Sequence, residues 1–219
     1  MSVFATTISR VLGWRTAAAF VLYTVPIIVL VNLAEEVRER ETLPFDEATL
    51  KTINNHASPT LDTLMVCVTQ LGSALAVIVM MVGIVSLLVK RRLYRSAAIL
   101  LAGVGGAAAL NLILKALFQR DRPQLWDRIV TENSYSFPSG HAMASSAFYF
   151  SLVVIAWPTR WRWWVIIGGA LYTVLIGFSR LYLGVHYPTD VVAGWLVSFL
   201  WVGLVYVVSR PSVTEVFRK

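Results

Sequence analysis

The chain has 219 residues, 57% hydrophobic and only 14% charged, with a mean hydropathy of +0.68. Soluble domains carry roughly 25% charged residues, so the composition excludes an ordinary soluble domain and indicates a membrane protein. The net charge of +7 does not indicate nucleic acid, because the basic residues cluster beside apolar runs, where membrane orientation accounts for them. The single cysteine, Cys67, cannot form an intrachain disulfide. No fixed-period repeat, linker or low-complexity segment interrupts the chain, so residues 1–219 read as a single domain.

A spanning helix needs about 20 mostly apolar residues. Six stretches meet or approach that length: Thr16 to Ala34, Leu64 to Val89, Ser96 to Leu117, His141 to Trp157, Trp163 to Ser179 and Val191 to Val208. An all-α bundle of six transmembrane helices is therefore expected. The first run is too long for a signal-peptide core and reads as a retained anchor.

Between the spans, one side collects Arg10, Arg15, Lys90, Arg91, Arg92, Arg95, Arg160, Arg162, Arg210, Arg218 and Lys219. That is eleven of the nineteen basic residues, against one of the twelve acids, Glu215. The positive-inside rule makes this side cytoplasmic, with both termini inside. Trp14, Trp157, Trp161, Trp163 and Trp164 fall at the same ends, as an interfacial aromatic belt does.

The first outer loop, residues 35–62, starts with the charge run Glu35 to Glu41, which reads as a solvated extension of the first helix. After Leu43-Pro44 a short helix is expected, capped by Asp46, stapled by Phe45 and Leu50, and lying on the outer membrane surface. In the third span, Ala102 to Ala109 is rich in small residues, which let helices approach closely in lipid.

Three polar clusters interrupt the apolar pattern, all at outer ends. The first is Lys115 to Pro123. Lys115 and Arg122 lie about two helical turns apart, and Pro123 disfavours helix at Arg122. Both cations can face one point, although snorkelling to headgroups would also account for them. The second is Pro138-Ser139-Gly140-His141, at a helix start, where free N–H groups favour an anion. An ordinary capped turn would look the same. The third holds Arg180, His186 and Asp190. His186 and Asp190 are four apart, and on a helix that spacing shares a face. An Asp beside a His holds its tautomer and stabilises the imidazolium. Ionisable pairs at a membrane edge are functional candidates by default.

Together the clusters supply three cations, two histidines, one carboxylate and a helix N-terminus. Fixed cations and free N–H groups suit a phosphate. Two histidines allow one to attack phosphorus and the other to protonate the leaving oxygen, with the assignment open at this level. The carboxylate set of a magnesium site and the spacing of a zinc pair are both missing, so no metal or other cofactor is expected.

Lys115-x6-Arg122-Pro123, Pro138-Ser-Gly-His141 and Ser179-Arg180-x5-His186-x3-Asp190 match the three signature motifs of the type 2 phosphatidic acid phosphatases, or lipid phosphate phosphatases. The chain resembles that family without departure at any motif position. The resemblance implies a six-helix membrane enzyme with its active site at the outer leaflet, in a plasma or inner membrane. It implies His186 as nucleophile, Asp190 as its activator and His141 as general acid. Lys115, Arg122, Ser139, Gly140 and Arg180 would bind the phosphate. Implied substrates are phosphatidylglycerol phosphate, phosphatidic acid, undecaprenyl diphosphate and lipid A phosphate, the compact chain resembling bacterial members. Vanadium haloperoxidases share the motifs, but are soluble. A non-catalytic lipid-binding or transport protein on the same fold is opposed by the intact His141, His186 and Asp190. Trp126, Arg128 and Tyr135 are left between headgroup contact and a surface role.

Overall fold

The computed structural model describes the backbone of residues 2–209 and side chains from Ala17 onward. Expectations resting on the side chains of Arg10, Trp14 and Arg15, and on Arg210, Glu215, Arg218 and Lys219, lie outside what is described. Within them the fold is all-helical. It comprises α1 (Ser2–Glu39), α2 (Leu43–Asn54), α3 (Pro59–Leu71), α4 (Ala74–Lys90), α5 (Tyr94–Phe118), α6 (Gly140–Ala156), α7 (Arg162–Tyr182) and α8 (Pro188–Val208).

Four of these helices are long and apolar enough to cross a membrane: Ala17–Glu39 of α1, then α5, α7 and α8. A fifth crossing results if α3 and α4 are one span, bent by 45°. The sequence predicts one continuous helix there. The break has a local cause. Gly72 ends α3, and Ser73 caps α4 by accepting from Ala76 N at 3.2 Å. A carbonyl freed in apolar surroundings needs a partner, and Tyr172 Oη supplies it by donating to Leu71 O at 2.9 Å. A Cβ on Gly72 would sit 2.4 Å from Ile176, so α7 packs directly on the bend.

α6 has 17 residues, short for a span, and it is the central helix, packed against α5, α7 and α8. Its buried Ser145, Ser146 and Ser151 donate back to carbonyls one turn earlier, so their hydroxyls reach no lipid. The small residues of α5 act as the sequence implies. A Cβ on Gly103 would meet Ser151 Oγ at 2.3 Å, and one on Gly106 would meet the Trp201 ring at 2.1 Å. α1 packs chiefly on α8, and its window of spanning residues is otherwise open to the surroundings.

α2 lies against α7 and α8. Here two expectations are corrected. Asp46 does not cap α2, which starts earlier, after Thr42. The Asp46 carboxylate is wholly buried and turns to α8. It accepts from Thr189 N at 3.2 Å, Thr189 Oγ1 at 2.6 Å and Arg120 Nη2 at 2.7 Å. The Phe45–Leu50 staple is also absent, for Phe45 is exposed while Leu50 is fully buried.

The C-terminus of α5, the N-terminus of α6, the C-terminus of α7 and the N-terminus of α8 meet at one end. The connections carrying Lys90 to Arg95 and Arg160 to Arg162 lie at the other. The loop from Gln119 to Ser139 closes the first end. It is tied down by Ser136 N to Arg120 O at 2.8 Å and Ser139 N to Asp190 O at 3.1 Å. Its Trp126 packs over the tight turn that presents His186. There Gly184 has φ +64°, and a Cβ would sit 2.7 Å from the indole. Trp126 thus has a packing role.

Gly184→Ala should cost about 1–3 kcal/mol, from left-handed strain plus overlap with the indole. Thermal unfolding of the detergent-solubilised protein should show a midpoint lowered by several degrees. An unchanged midpoint would contradict this geometry.

Candidate active site

α8 begins at Pro188, whose fixed φ suits a first helical turn. Asp190 therefore falls in that turn and reaches back to accept from Tyr187 N at 2.9 Å. His186 sits just before the helix. The four-residue spacing brings His186 Nδ1 to 3.3 Å from Asp190 Oδ2. Ser136 Oγ donates to the same oxygen at 2.5 Å, and Arg120 Nη1 donates to Oδ1 at 2.6 Å. The other imidazole nitrogen, Nε2, lies 3.1 Å from Arg122 Nη1. A ring with its proton on Nδ1 satisfies both contacts, donating to the carboxylate and turning the Nε2 lone pair toward Arg122. Burial first, then the facing Arg122, pull the His186 imidazole down to about 3, against the opposing hydrogen bond and charge of Asp190. Both influences favour the neutral ring.

Lys115 and Arg122 converge as the sequence allows, and neither snorkels, both being about 8% exposed. Lys115 Nζ donates to Tyr135 O and, at 3.3 Å, to Ser134 Oγ. Arg122 donates to Ser134 O at 2.7 Å, Val185 O at 2.8 Å and Ser134 Oγ at 3.1 Å. Burial lowers Arg122 to about 10 while Glu132 opposes the shift, and the guanidinium stays charged. Arg180, 1% exposed, donates to Thr69 Oγ1 at 2.7 Å and pairs with Glu132. Its Nε is buried with no hydrogen-bond partner among the described residues. Such a donor is expensive to leave unpaired unless a ligand meets it.

Ser139 caps α6, accepting from Ala142 N at 3.4 Å, and Asn111 Nδ2 holds the preceding Pro138 O at 3.1 Å. A cavity of ≈ 300 Å³ is lined by Lys115, Arg122, Gly140, His141 and His186, with Glu132 among them. Its remaining wall is largely apolar, formed by Gly72 and Ala74 at the bend and by Ala108, Leu112, Met143 and Ala144. Five of the eight sequence-selected residues line it directly. Arg180 connects through Glu132, while Ser139 and Asp190 are fully buried. No group of three or more His, Cys, Asp or Glu placed to hold a metal occurs among the described residues. The arrangement can hold a tetrahedral anion among fixed cations, offer it a neutral imidazole, and place a second imidazole beside it.

Sequence reading missed Arg120, Glu132, Ser136, Thr69 and Asp46. Arg120 lies inside the first cluster, in Arg120-Asp-Arg122, and was available as a second candidate. Glu132, on an irregular loop, gives no local signal. Its carboxylate pairs with Arg180 and lies 3.7 Å from Arg122, and despite burial these cations hold it below the ordinary carboxylate range. Arg128 has one guanidinium nitrogen buried without a hydrogen-bond partner among the described residues, and Tyr135 is exposed.

Comparison with known proteins places this geometry in a wider setting. Residues 96–213 match the PAP2 superfamily. The chain is 31% identical over 173 residues to phosphatidylglycerophosphatase B of Bacillus subtilis, covering 77% of this chain and 85% of that protein. It is 27% identical over 179 residues to undecaprenyl-diphosphatase BcrC of the same organism, covering 75% and 84%. The crystal structure of a transmembrane PAP2-type phosphatidylglycerolphosphate phosphatase from Bacillus subtilis superposes with a TM-score of 0.77 at 29% identity. That match covers 84% of this chain and 93% of that one.

Glu132 occupies cations that an inorganic oxyanion would need. Glu132→Gln should therefore bind orthophosphate more tightly, roughly five-fold for about 1 kcal/mol of partly screened pairing. Calorimetric titration of the purified protein measures it, and equal or weaker binding would contradict competition for Arg180 and Arg122.

Proposed function

We propose that this chain, which belongs to the PAP2 superfamily, removes phosphate from a membrane lipid phosphate or diphosphate without a metal. The observation that carries this reading is the placement of the buried His186. It is held by Asp190 on Nδ1 and presents Nε2 to a cation-lined cavity.

In the first step the His186 Nε2 lone pair attacks phosphorus and the P–O bond to the lipid breaks. The bonding pair leaves on the lipid oxygen, and His141 gives it a proton. Asp190 accepts from Nδ1–H throughout and stabilises the cationic ring of the phosphohistidine. Lys115, Arg122, Arg180, the Ser139 hydroxyl and the N–H groups at Gly140 hold the phosphoryl oxygens as charge develops. In the second step His141 takes a proton from water, water oxygen bonds to phosphorus, and the P–N bond breaks. Orthophosphate leaves and His186 is neutral again.

The relatives support a lipid substrate, one being named a phosphatidylglycerophosphatase and another an undecaprenyl-diphosphatase. Phosphatidylglycerol phosphate, phosphatidic acid and undecaprenyl diphosphate are the substrates proposed here. Residues 1–219 act as one domain in a multi-pass membrane protein of the plasma or inner membrane. α6 completes the six spans as the fourth in chain order, at the short end of the range near 17 residues. The cavity faces the outer side, because Lys90, Arg91, Arg92, Arg95, Arg160 and Arg162 lie at the opposite ends of the helices, which the positive-inside rule assigns to the cytoplasm with both termini.

Purified protein in detergent with EDTA should release phosphate from at least one of these lipids, and His186→Ala should abolish release. Inert EDTA-treated protein revived by magnesium would overturn the metal-free mechanism. The kcat/KM profile should be bell-shaped. His186 must be unprotonated to attack, and its acidity is raised by burial, so the acid limb should lie well below the usual histidine value near 6.5. An acid limb at or above that value would contradict a buried nucleophile.

A further inference from the structure

The reaction above uses neither Arg120 nor Asp46, yet both are buried against the groups that perform it. Arg120 comes from the loop after α5, Asp46 from α2, and Thr189 and Asp190 from the first turn of α8. Arg120 Nη1 donates to Asp190 Oδ1 at 2.6 Å and Thr189 Oγ1 at 2.8 Å. Nη2 donates to Asp46 Oδ2 at 2.7 Å and Thr42 Oγ1 at 3.3 Å. The guanidinium also lies 4.1 Å over the Tyr187 ring. Both carboxylates are 0% exposed and Arg120 is 9% exposed. One cation is thus shared by two buried anions.

The sharing has a chemical sense. With Oδ1 fixed by Arg120, the Asp190 carboxylate cannot rotate, and Oδ2 stays directed at His186 Nδ1. A guanidinium paired with Asp190 alone would cancel the negative charge that a cationic phosphohistidine needs. Asp46 restores it, because Asp46, Arg120 and Asp190 together carry one net negative charge. Every other charged or titratable group facing His186 is different in kind. Arg122 and Glu132 come from the loop, Lys115 from α5, His141 from α6 and Arg180 from α7, with the Ser136 hydroxyl beside Nδ1. The cations among them bind phosphate and oppose charge on the ring, and Glu132 is paired with Arg180. The counter-charge must come from the Asp190 side.

We propose that Arg120 and Asp46 are positioning residues for the His186–Asp190 pair, Arg120 locking the Asp190 carboxylate and Asp46 returning the charge that Arg120 removes. Helix α2 is then part of the catalytic scaffold. This inference rests on the phosphohistidine reading, and its test separates the two.

The test is the pH dependence of kcat/KM for Asp46→Asn, Arg120→Gln and the double variant, on the lipid that wild type hydrolyses fastest. Each single variant should lose ~10-fold or more in kcat, typical of groups that orient a reacting side chain, with KM within about two-fold. Asp46→Asn removes negative charge, so His186 should protonate less readily and the acid limb should move down. Arg120→Gln removes positive charge, so the limb should move up. Each shift should be roughly half a pH unit. The double variant leaves Asp190 as the one net negative charge. Its limb should return to the wild-type position while kcat stays low, because nothing then locks the carboxylate. Lys51→Gln, on the exposed side of α2, should match wild type. Arg120→Gln leaves two carboxylates buried without their cation. If it fails to fold, Asp46→Asn and the charge-balanced double variant carry the comparison. Acid limbs coinciding with wild type, or losses in KM alone, would show a structural strut and overturn the proposal. Wild type that releases phosphate from no lipid would instead overturn the function.

Discussion

Everything at the polar end of this bundle depends on keeping one carboxylate charged out of water. An isolated buried carboxylate is not sustainable; it must be paired and hydrogen-bonded or it protonates. Asp190 meets that demand with donors from three separate segments. Tyr187 N belongs to the approach to α8, Ser136 Oγ to the end of the loop, and Arg120 to its beginning. Satisfying this one group fixes where the loop enters and leaves, and therefore where Arg122, two residues past Arg120, points. The position of Arg122 at the cavity follows from the needs of the carboxylate.

The same constraint accounts for the arrangement of the cations. Lys115, Arg122 and Arg180 are like charges gathered in one place, and in the described structure each leans on a neutral or negative oxygen. Lys115 and Arg122 share Ser134 and Tyr135, and Arg180 holds Thr69 and Glu132. Most of these partners are carbonyls and hydroxyls, which offset desolvation without cancelling charge. Field strength toward the cavity is thereby retained. Glu132 is the exception, a full anion on a mostly irregular loop, paired with Arg180 and facing Arg122.

Much of the frame was legible in the sequence, for physical reasons. Apolar runs of spanning length have few alternatives in lipid, so the α5, α7 and α8 spans agree with expectation to within a few residues at each end. The three clusters were legible because charge at a membrane edge is rarely accidental. What was not legible was long-range pairing. Asp46 sits near the start of a short helix, and local rules assign such a residue to a cap. Its partner Thr189 lies 143 positions away, a separation on which local rules are silent. The bend between α3 and α4 was a different kind of miss. Gly72-Ser73 carries a helix stop and a helix start side by side, inside a mostly apolar run from Leu64 to Val89. The pocket wall formed at that bend was invisible for the same reason.

The packing of α1 on α8 has a bearing on biogenesis. The first and last helices of the described bundle are neighbours, and α2, which follows α1, donates Asp46 to the start of α8. Helices enter the bilayer in the order of translation. Until α8 arrives, α1 has no principal neighbour and Arg120 lacks Asp190. The nascent protein can thus insert most of its apolar helices before Asp190 joins His186. The Asp46–Arg120–Asp190 network therefore closes only once the last described helix is in place.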